Sequence, residues 1–262
     1  MPPRARTSLP WTGYLESAET KKTMANKYQL ETIPVWDGIK SQSECFICDL
    51  MQQAEKDSLE FFLGSSVMNP ETRVRVNATG FCPEHTAKLV ESGHPNSMAV
   101  MWETHLERTR DELQKVFKDL ENGKNLKKTV ANLDEVLGQR EKGCLICQRM
   151  RDRLDRYCFT IPYIWGQDPE FRKAFSESKG FCLHHMSHIL RMSLDALDAK
   201  QQKLFSQAMA DLQQRRLDLN AKDLVYMIEH YKSENRDKPW NGCEDAQIRA
   251  VYREIGKGRC IR

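Results

Sequence analysis

Apolar residues recur along this chain mainly at steps of three and four, and no stretch sustains the alternation of a strand. From Asp49 onward, Leu50, Met51, Ala54, Leu59, Phe61, Phe62 and Leu63 hold mostly helical spacing up to Gly64. Asn69–Pro70–Glu71 then predicts a fresh helix start with proline at or near the first helical position, and Asp168–Pro169–Glu170 repeats that signal in the second half. A short helix leads to Gly80, and another opens at Cys82–His85 and runs towards Ser92–Gly93. The longest helix of the first half is predicted over about 97–120, with a stripe of Met98, Met101, Trp102, His105, Leu106, Leu113, Val116, Phe117 and Leu120. Residues 124–128 read as a linker, followed by a short helix over about 130–137.

The second half repeats the plan with differences. Ile161–Pro162 and Trp165–Gly166 predict that its first helix is shortened or broken. A long helix, open to interruption, runs from Leu183 towards Gln214, and another covers about 221–231. Asn235–Trp240 reads as a turn and Ala246–Ile255 as a last short helix. The expectation is an all-α protein.

The chemistry sits in two matched phrases. Glu44–Cys45–Phe46–Ile47–Cys48 is answered by Gly80–Phe81–Cys82–Pro83–Glu84–His85, and Gly143–Cys144–Leu145–Ile146–Cys147 by Gly180–Phe181–Cys182–Leu183–His184–His185. Between the second and third cysteine lie 33 residues in the first copy and 34 in the second. One CxxC is common by chance; CxxC followed by GFCxxH twice is not. Two thiolates on one tight turn grip one edge of a metal, and a Cys–x–x–His pair completes a tetrahedron. Because such a site closes a long loop, metal binding becomes folding free energy. Buried structural cysteines would scatter over helical positions, whereas six of the nine cysteines here fall in ligand pairs.

The predicted ligands are therefore Cys45, Cys48, Cys82 and His85 around one metal and Cys144, Cys147, Cys182 and His185 around a second. A crossed arrangement, each CxxC closing with the other copy's CxxH, also satisfies the spacing. Its extra loop closure costs only roughly 1 kcal/mol. The local arrangement is preferred because an ancestral single unit must have closed its own site. Zinc at both sites is the expected cofactor, and an iron–sulfur cluster is the alternative, since three thiolates and an imidazole suit zinc and iron about equally.

Composition narrows the classes. The 262 residues carry 40 Lys and Arg against 37 Asp and Glu, a net charge of +3 that is too small to argue for nucleic acid. No apolar run reaches the length of a membrane span, and no apolar core follows the early arginines as a secretion signal requires. Cysteines in metal spacing fit a reducing compartment, so a cytoplasmic protein is expected. Residues 1–26 read as a disordered tail rich in Pro, Arg, Ser and Thr, with Met24 as an alternative start. A first helical unit over 27–128 and a second over 129–262 follow.

Other candidates carry weaker signals. His184 and His188 flank His185 as substitute ligands, and Glu84 could serve a metal-bound water as base, though His184 stands at its position in the second copy. His105 reads as a core histidine, His94 as a loop residue and His230 as a helix-end cation. Cys158, Cys243 and Cys260 have no partner at metal spacing. Thioredoxin chemistry lacks its strands, and a c-type haem lacks its CxxCH, because Asp49 and Gln148 stand where that histidine belongs.

With Tyr28–Pro34, the CxxC of Cys45 and Cys48, Gly80–His85 and the Tyr231–Trp240 segment ending in Lys–Pro–Trp, the chain resembles a prokaryotic family known only as a domain of unknown function. That resemblance implies no activity and no catalytic residue. The reading is two related helical units, each pinned by a Cys3His site, acting without catalysis as a metal-stabilised scaffold or adaptor for an unidentified protein partner. A redox or iron–sulfur sensor is the alternative.

Overall fold

A computed structural model describes residues 31–123, 125–141 and 143–258. The expected N-terminal tail, the Met24 start and Cys260 lie outside those residues. Among the described residues the chain forms α-helices and short 3-10 turns and no strand. The helices are α1 (Thr32–Lys40), α2 (Phe46–Leu63), α3 (Pro70–Thr79), α4 (Pro83–Glu91), α5 (Pro95–Glu121), α6 (Leu126–Glu141), α7 (Leu145–Gln167), α8 (Pro169–Glu177), α9 (Leu183–Ala196), α10 (Ala199–His230) and α11 (Ala246–Ile255). The all-α expectation holds.

Local chemistry explains most helix starts. Asn69 Oδ1 accepts from the backbone N–H groups of Glu71 and Thr72, and Asp168 Oδ1 from those of Glu170 and Phe171, each with proline at the first helical position. Two expectations fail. α7 runs unbroken through Pro162. The proline costs roughly 3 kcal/mol in a helix interior, but Ile161 before it and Ile164 and Trp165 after it are buried in the core. The C-terminal carbonyls of the helix are also satisfied: Arg172 donates to those of Trp165 and Gly166, and Gln201 to that of Gly166. In the last third the break falls at Leu197–Asp198 rather than near residue 215, because Asp198 caps α10 by accepting from Gln201 N–H.

The main core is one continuous cluster, with a smaller one of Met227, Cys243 and Ala246 beside it. The main cluster includes Val35 and Ile39 of α1, Ile47 and Phe62 of α2, Ile146 and Leu154 of α7, Phe171 and Phe175 of α8, Ile189 of α9, and Phe205 and Leu212 of α10. The most extensive pairings are α9 on α7 and α2 on α7. α2 and α7 run antiparallel: Asp57 meets Arg153 at 2.5 Å, and four residues on in α2 Phe61 lies beneath Arg149, four residues back in α7. This pairing decides the metal sites. No helix of the described residues is long and apolar enough to cross a membrane.

Candidate metal centre

Each ligand pair opens a helix. Cys45 and Cys144 occupy the N-cap positions of α2 and α7, and Cys82 and Cys182 those of α4 and α9, with the partner ligand one turn in. The N-terminal end of a helix carries partial positive charge and unpaired N–H groups, which favour thiolate over thiol. Gly80 and Gly180, two residues before each CxxH pair, sit at φ 68° and 79°, a region that costs a side-chain-bearing residue dearly. At Gly180 there is also no room, since a Cβ would stand 2.5 Å from Gln213 Oε1. That glutamine clamps the loop, accepting from Phe181 N–H at 3.0 Å and donating to Phe181 O at 2.8 Å.

All eight predicted ligands gather into two clusters, but not in the expected pairing. Cys45 and Cys48 meet Cys182 and His185, whereas Cys82 and His85 meet Cys144 and Cys147. Cys48 Sγ lies 3.8 Å from Cys182 Sγ, and Cys82 Sγ lies 4.0 Å from Cys147 Sγ. The local pairing is overturned, and the halves interlock through both sites. The reason is helix geometry. In the first half His85 meets Glu55, seven residues past Cys48 and so about 10 Å along α2 at 1.5 Å per residue. In the second half His188 meets Asp155, eight residues past Cys147 and about 12 Å along α7. Each CxxH helix thus packs against the middle of its own CxxC helix. The antiparallel run of α2 and α7 puts the two CxxC turns at opposite ends, where each meets the other half's pair. Leu145 N–H donating to Gly80 O at 3.2 Å ties one junction.

The donor sets fit a tetrahedral ion. Bonds of ~2.3 Å to sulfur give S···S edges of about 3.8 Å, against the observed 3.8 and 4.0 Å. In one cluster His185 Nδ1 lies 3.4 Å from each of Cys45, Cys48 and Cys182 Sγ. In the other, His85 Nδ1 lies 3.2 Å from Cys82 Sγ and 3.3 Å from Cys144 and Cys147 Sγ. One nitrogen aimed equally at three sulfurs is the arrangement of four donors around a common centre. Without a cation the thiols frustrate one another. Burial raises Cys144, but hydrogen bonds from the His85 ring, the Cys147 and Cys82 backbone and the Cys147 thiol together hold it at about 6; burial and the Cys144 charge push Cys147 up to about 12. Burial, with Cys182 beside it, pushes Cys45 up as well. The first thiolate forms readily and the next is costly, a cost that a divalent ion removes.

The surroundings of the two clusters differ. The Cys45–Cys48–Cys182–His185 cluster, the buried site, has every ligand buried. Its lid is the C-terminal segment: Lys257 N–H points at Cys48 Sγ at 3.4 Å, Lys257 Nζ meets Asp49 at 2.8 Å, and Arg253 of α11 pairs with Glu44 while donating to the carbonyls of Glu44 and Phe181. Each of these cations is matched by a carboxylate, Glu44 for Arg253 and Asp49 for Lys257, so the segment is held over the cluster by two ion pairs. His185 Nε2 is buried with no hydrogen-bond partner. In the Cys82–His85–Cys144–Cys147 cluster, the half-open site, Cys82 and Cys147 are partly exposed. There His85 Nε2 meets Glu55 at 3.0 Å and Glu55 meets Lys88 at 2.6 Å, a carboxylate that fixes ring orientation and tautomer. Glu55→Gln is expected to weaken metal retention at this site by about 10–100-fold and leave the other unchanged, as read by chelator competition.

The weaker candidates fall elsewhere. His184 is exposed and His188 is held by Asp155, so neither joins a cluster. Glu84 lies 3.6 Å from Lys88 on α4. His105 packs beside Trp102, and His230 is buried under Trp240. Cys158 and Cys243 are buried outside both clusters. Sequence reasoning missed Glu55, Lys88, Glu44, Arg253 and Lys257, for which no spacing gives a signal, since each reaches its partner only across the fold.

A family model described as a family of unknown function (DUF6062) matches residues 26–259. An uncharacterised 23.9 kDa protein in the xynA 3′ region of Caldicellulosiruptor sp. (strain Rt8B.4) is 25% identical over 166 residues, covering 62% of this chain and 73% of that protein. No solved structure matches the chain. Since the family match spans nearly all the described helices, this chain belongs to the DUF6062 family of unknown function.

Proposed function

We propose that this protein is a non-catalytic helical scaffold or adaptor held by two structural zinc ions, one in each Cys3His cluster. The observation that carries the reading is the pair of four-donor clusters, each with one imidazole nitrogen 3.2–3.4 Å from three sulfurs. Four protein donors complete a tetrahedron and leave no position for substrate, the pattern of structural rather than catalytic zinc. Each ion would join a helix start from residues 27–128 to one from 129–262, so the metals act as cross-links between two related units. The long α10 and the short α11 offer the surface for a protein partner: Val225, Ile228, Ile248, Val251 and Ile255 are exposed apolar residues on them. A reducing, cytoplasmic setting suits thiolate ligands.

Metal analysis of protein purified without added metal tests the reading. Two zinc ions per chain and a colourless solution are expected, and cobalt substitution should give the intense visible bands of tetrahedral thiolate coordination. Brown protein with near-stoichiometric iron would replace zinc with the iron–sulfur alternative.

A further inference from the structure

The clusters share one donor set but not one environment. At the buried site Cys45, Cys48 and Cys182 are 1%, 2% and 0% exposed. At the half-open site two of the three cysteines, Cys82 and Cys147, are partly exposed, and only Cys144 is buried. These two are also adjacent, with Sγ atoms 4.0 Å apart, and come from opposite halves of the chain. The partial exposure of Cys82 and Cys147 leaves this cluster open to small reagents, while the segment around Arg253 and Lys257 covers the other.

We propose that Cys82 and Cys147 form a modification site for peroxide-class oxidants: they are converted to a disulfide with release of the ion from the half-open site, while the buried site keeps its metal. The inference rests on the metal reading above. One thiolate of the pair attacks a peroxide oxygen, breaking the O–O bond and giving a sulfenic acid and hydroxide. The second thiolate attacks that sulfur, expels another hydroxide and closes the S–S bond. Two electrons pass from the sulfurs to the peroxide. The ion, left with Cys144 and His85, dissociates. Closing 4.0 Å to a bond of ~2.05 Å takes side-chain rotation and a small approach of the two helix starts. The disulfide would join the start of α4 to the start of α7, the junction that the ion held. Oxidation thus exchanges one cross-link for another.

The test uses the full-length, metal-loaded wild-type chain, because cysteine variants can fail to fold. Protein with two zinc ions is treated with hydrogen peroxide, released zinc is followed with a chromophoric chelator, and disulfides are mapped by peptide mass spectrometry at the end of the first release phase. One equivalent should leave at least about tenfold faster than the second, with Cys82–Cys147 the first disulfide to form. The oxidised one-zinc protein should also resist urea better than protein stripped of the same ion under reducing conditions. Both ions leaving together, a first disulfide within the buried site, or a Cys144–Cys147 disulfide would overturn the proposal and leave the two-zinc reading intact. Fewer than two ions bound before treatment would overturn that reading and the proposal with it.

Discussion

A chain carrying Cys48→Ser and Cys182→Ser together is expected to hold one metal ion, the same as either single variant, whereas Cys48→Ser with Cys82→Ser is expected to hold none. The first pair shares a cluster and the second does not. Local closure predicts the opposite for both double variants, so elemental analysis of the four proteins discriminates without a structure. Stability should follow the same rule. Structural zinc contributes on the order of 10 kcal/mol of apparent binding free energy at neutral pH, more than a domain's usual margin of ~5–15 kcal/mol can easily lose. Loss of one ion should cost several kcal/mol, loss of the second partner of the same cluster little more, and loss of both ions the cooperative fold. Non-additivity within a cluster and additivity between clusters are what a shared ion demands.

Arg253→Ala should be the most damaging change outside the ligands. Arg253 is 1% exposed, pairs with the carboxylate of Glu44, and donates to Glu44 O at 2.9 Å and Phe181 O at 3.1 Å. Those carbonyls belong to the residues just before Cys45 and Cys182, so one guanidinium aligns both arms of the buried site. Removing it strands a buried carboxylate and takes a donor from the Glu44 carbonyl, while Phe181 O keeps its bond from Gln213; the loss should be about 3–5 kcal/mol, measurable by urea denaturation. Glu44→Gln with Arg253→Met removes both charges and should recover part of that loss, because the larger share is the penalty of the stranded charge. Chelator should also extract the buried-site ion faster from Arg253→Ala, with the half-open site unchanged. Equal loss from both sites would show that α11 supports the whole fold and not this junction.

Gly180→Ala tests the same junction from the backbone. The φ of 79° and the Gln213 oxygen 2.5 Å from a would-be Cβ predict a cost of roughly 1–3 kcal/mol. Gly138→Ala, in a helix with nothing within 4 Å of a Cβ, should be neutral or stabilising by up to about 1 kcal/mol.

Much of this protein is local and therefore readable along the chain. Proline after Asn69 and Asp168 marks helix starts because capping and a fixed φ act over three residues. The eight ligands are recognisable because thiolates on one turn are set by spacing alone. Gly80 and Gly180 announce a backbone that tolerates no Cβ. Pro162 misleads as a breaker, since the helix around it is held by burial of Ile161 and Trp165 against partners distant in sequence, such as Phe205. Which CxxC closes with which CxxH is likewise invisible in spacing: loop entropy separates the alternatives by only about 1 kcal/mol. The antiparallel packing of α2 on α7, fixed by side chains such as Asp57, Phe61, Arg149 and Arg153, carries the two CxxC turns to opposite ends and makes each site from both halves. The sequence by itself thus determined the all-α class and singled out the eight Cys and His residues that gather into two clusters. Only the tertiary structure decided the pairing, because a small difference in closure entropy is outweighed by contacts between helices some hundred residues apart in the chain.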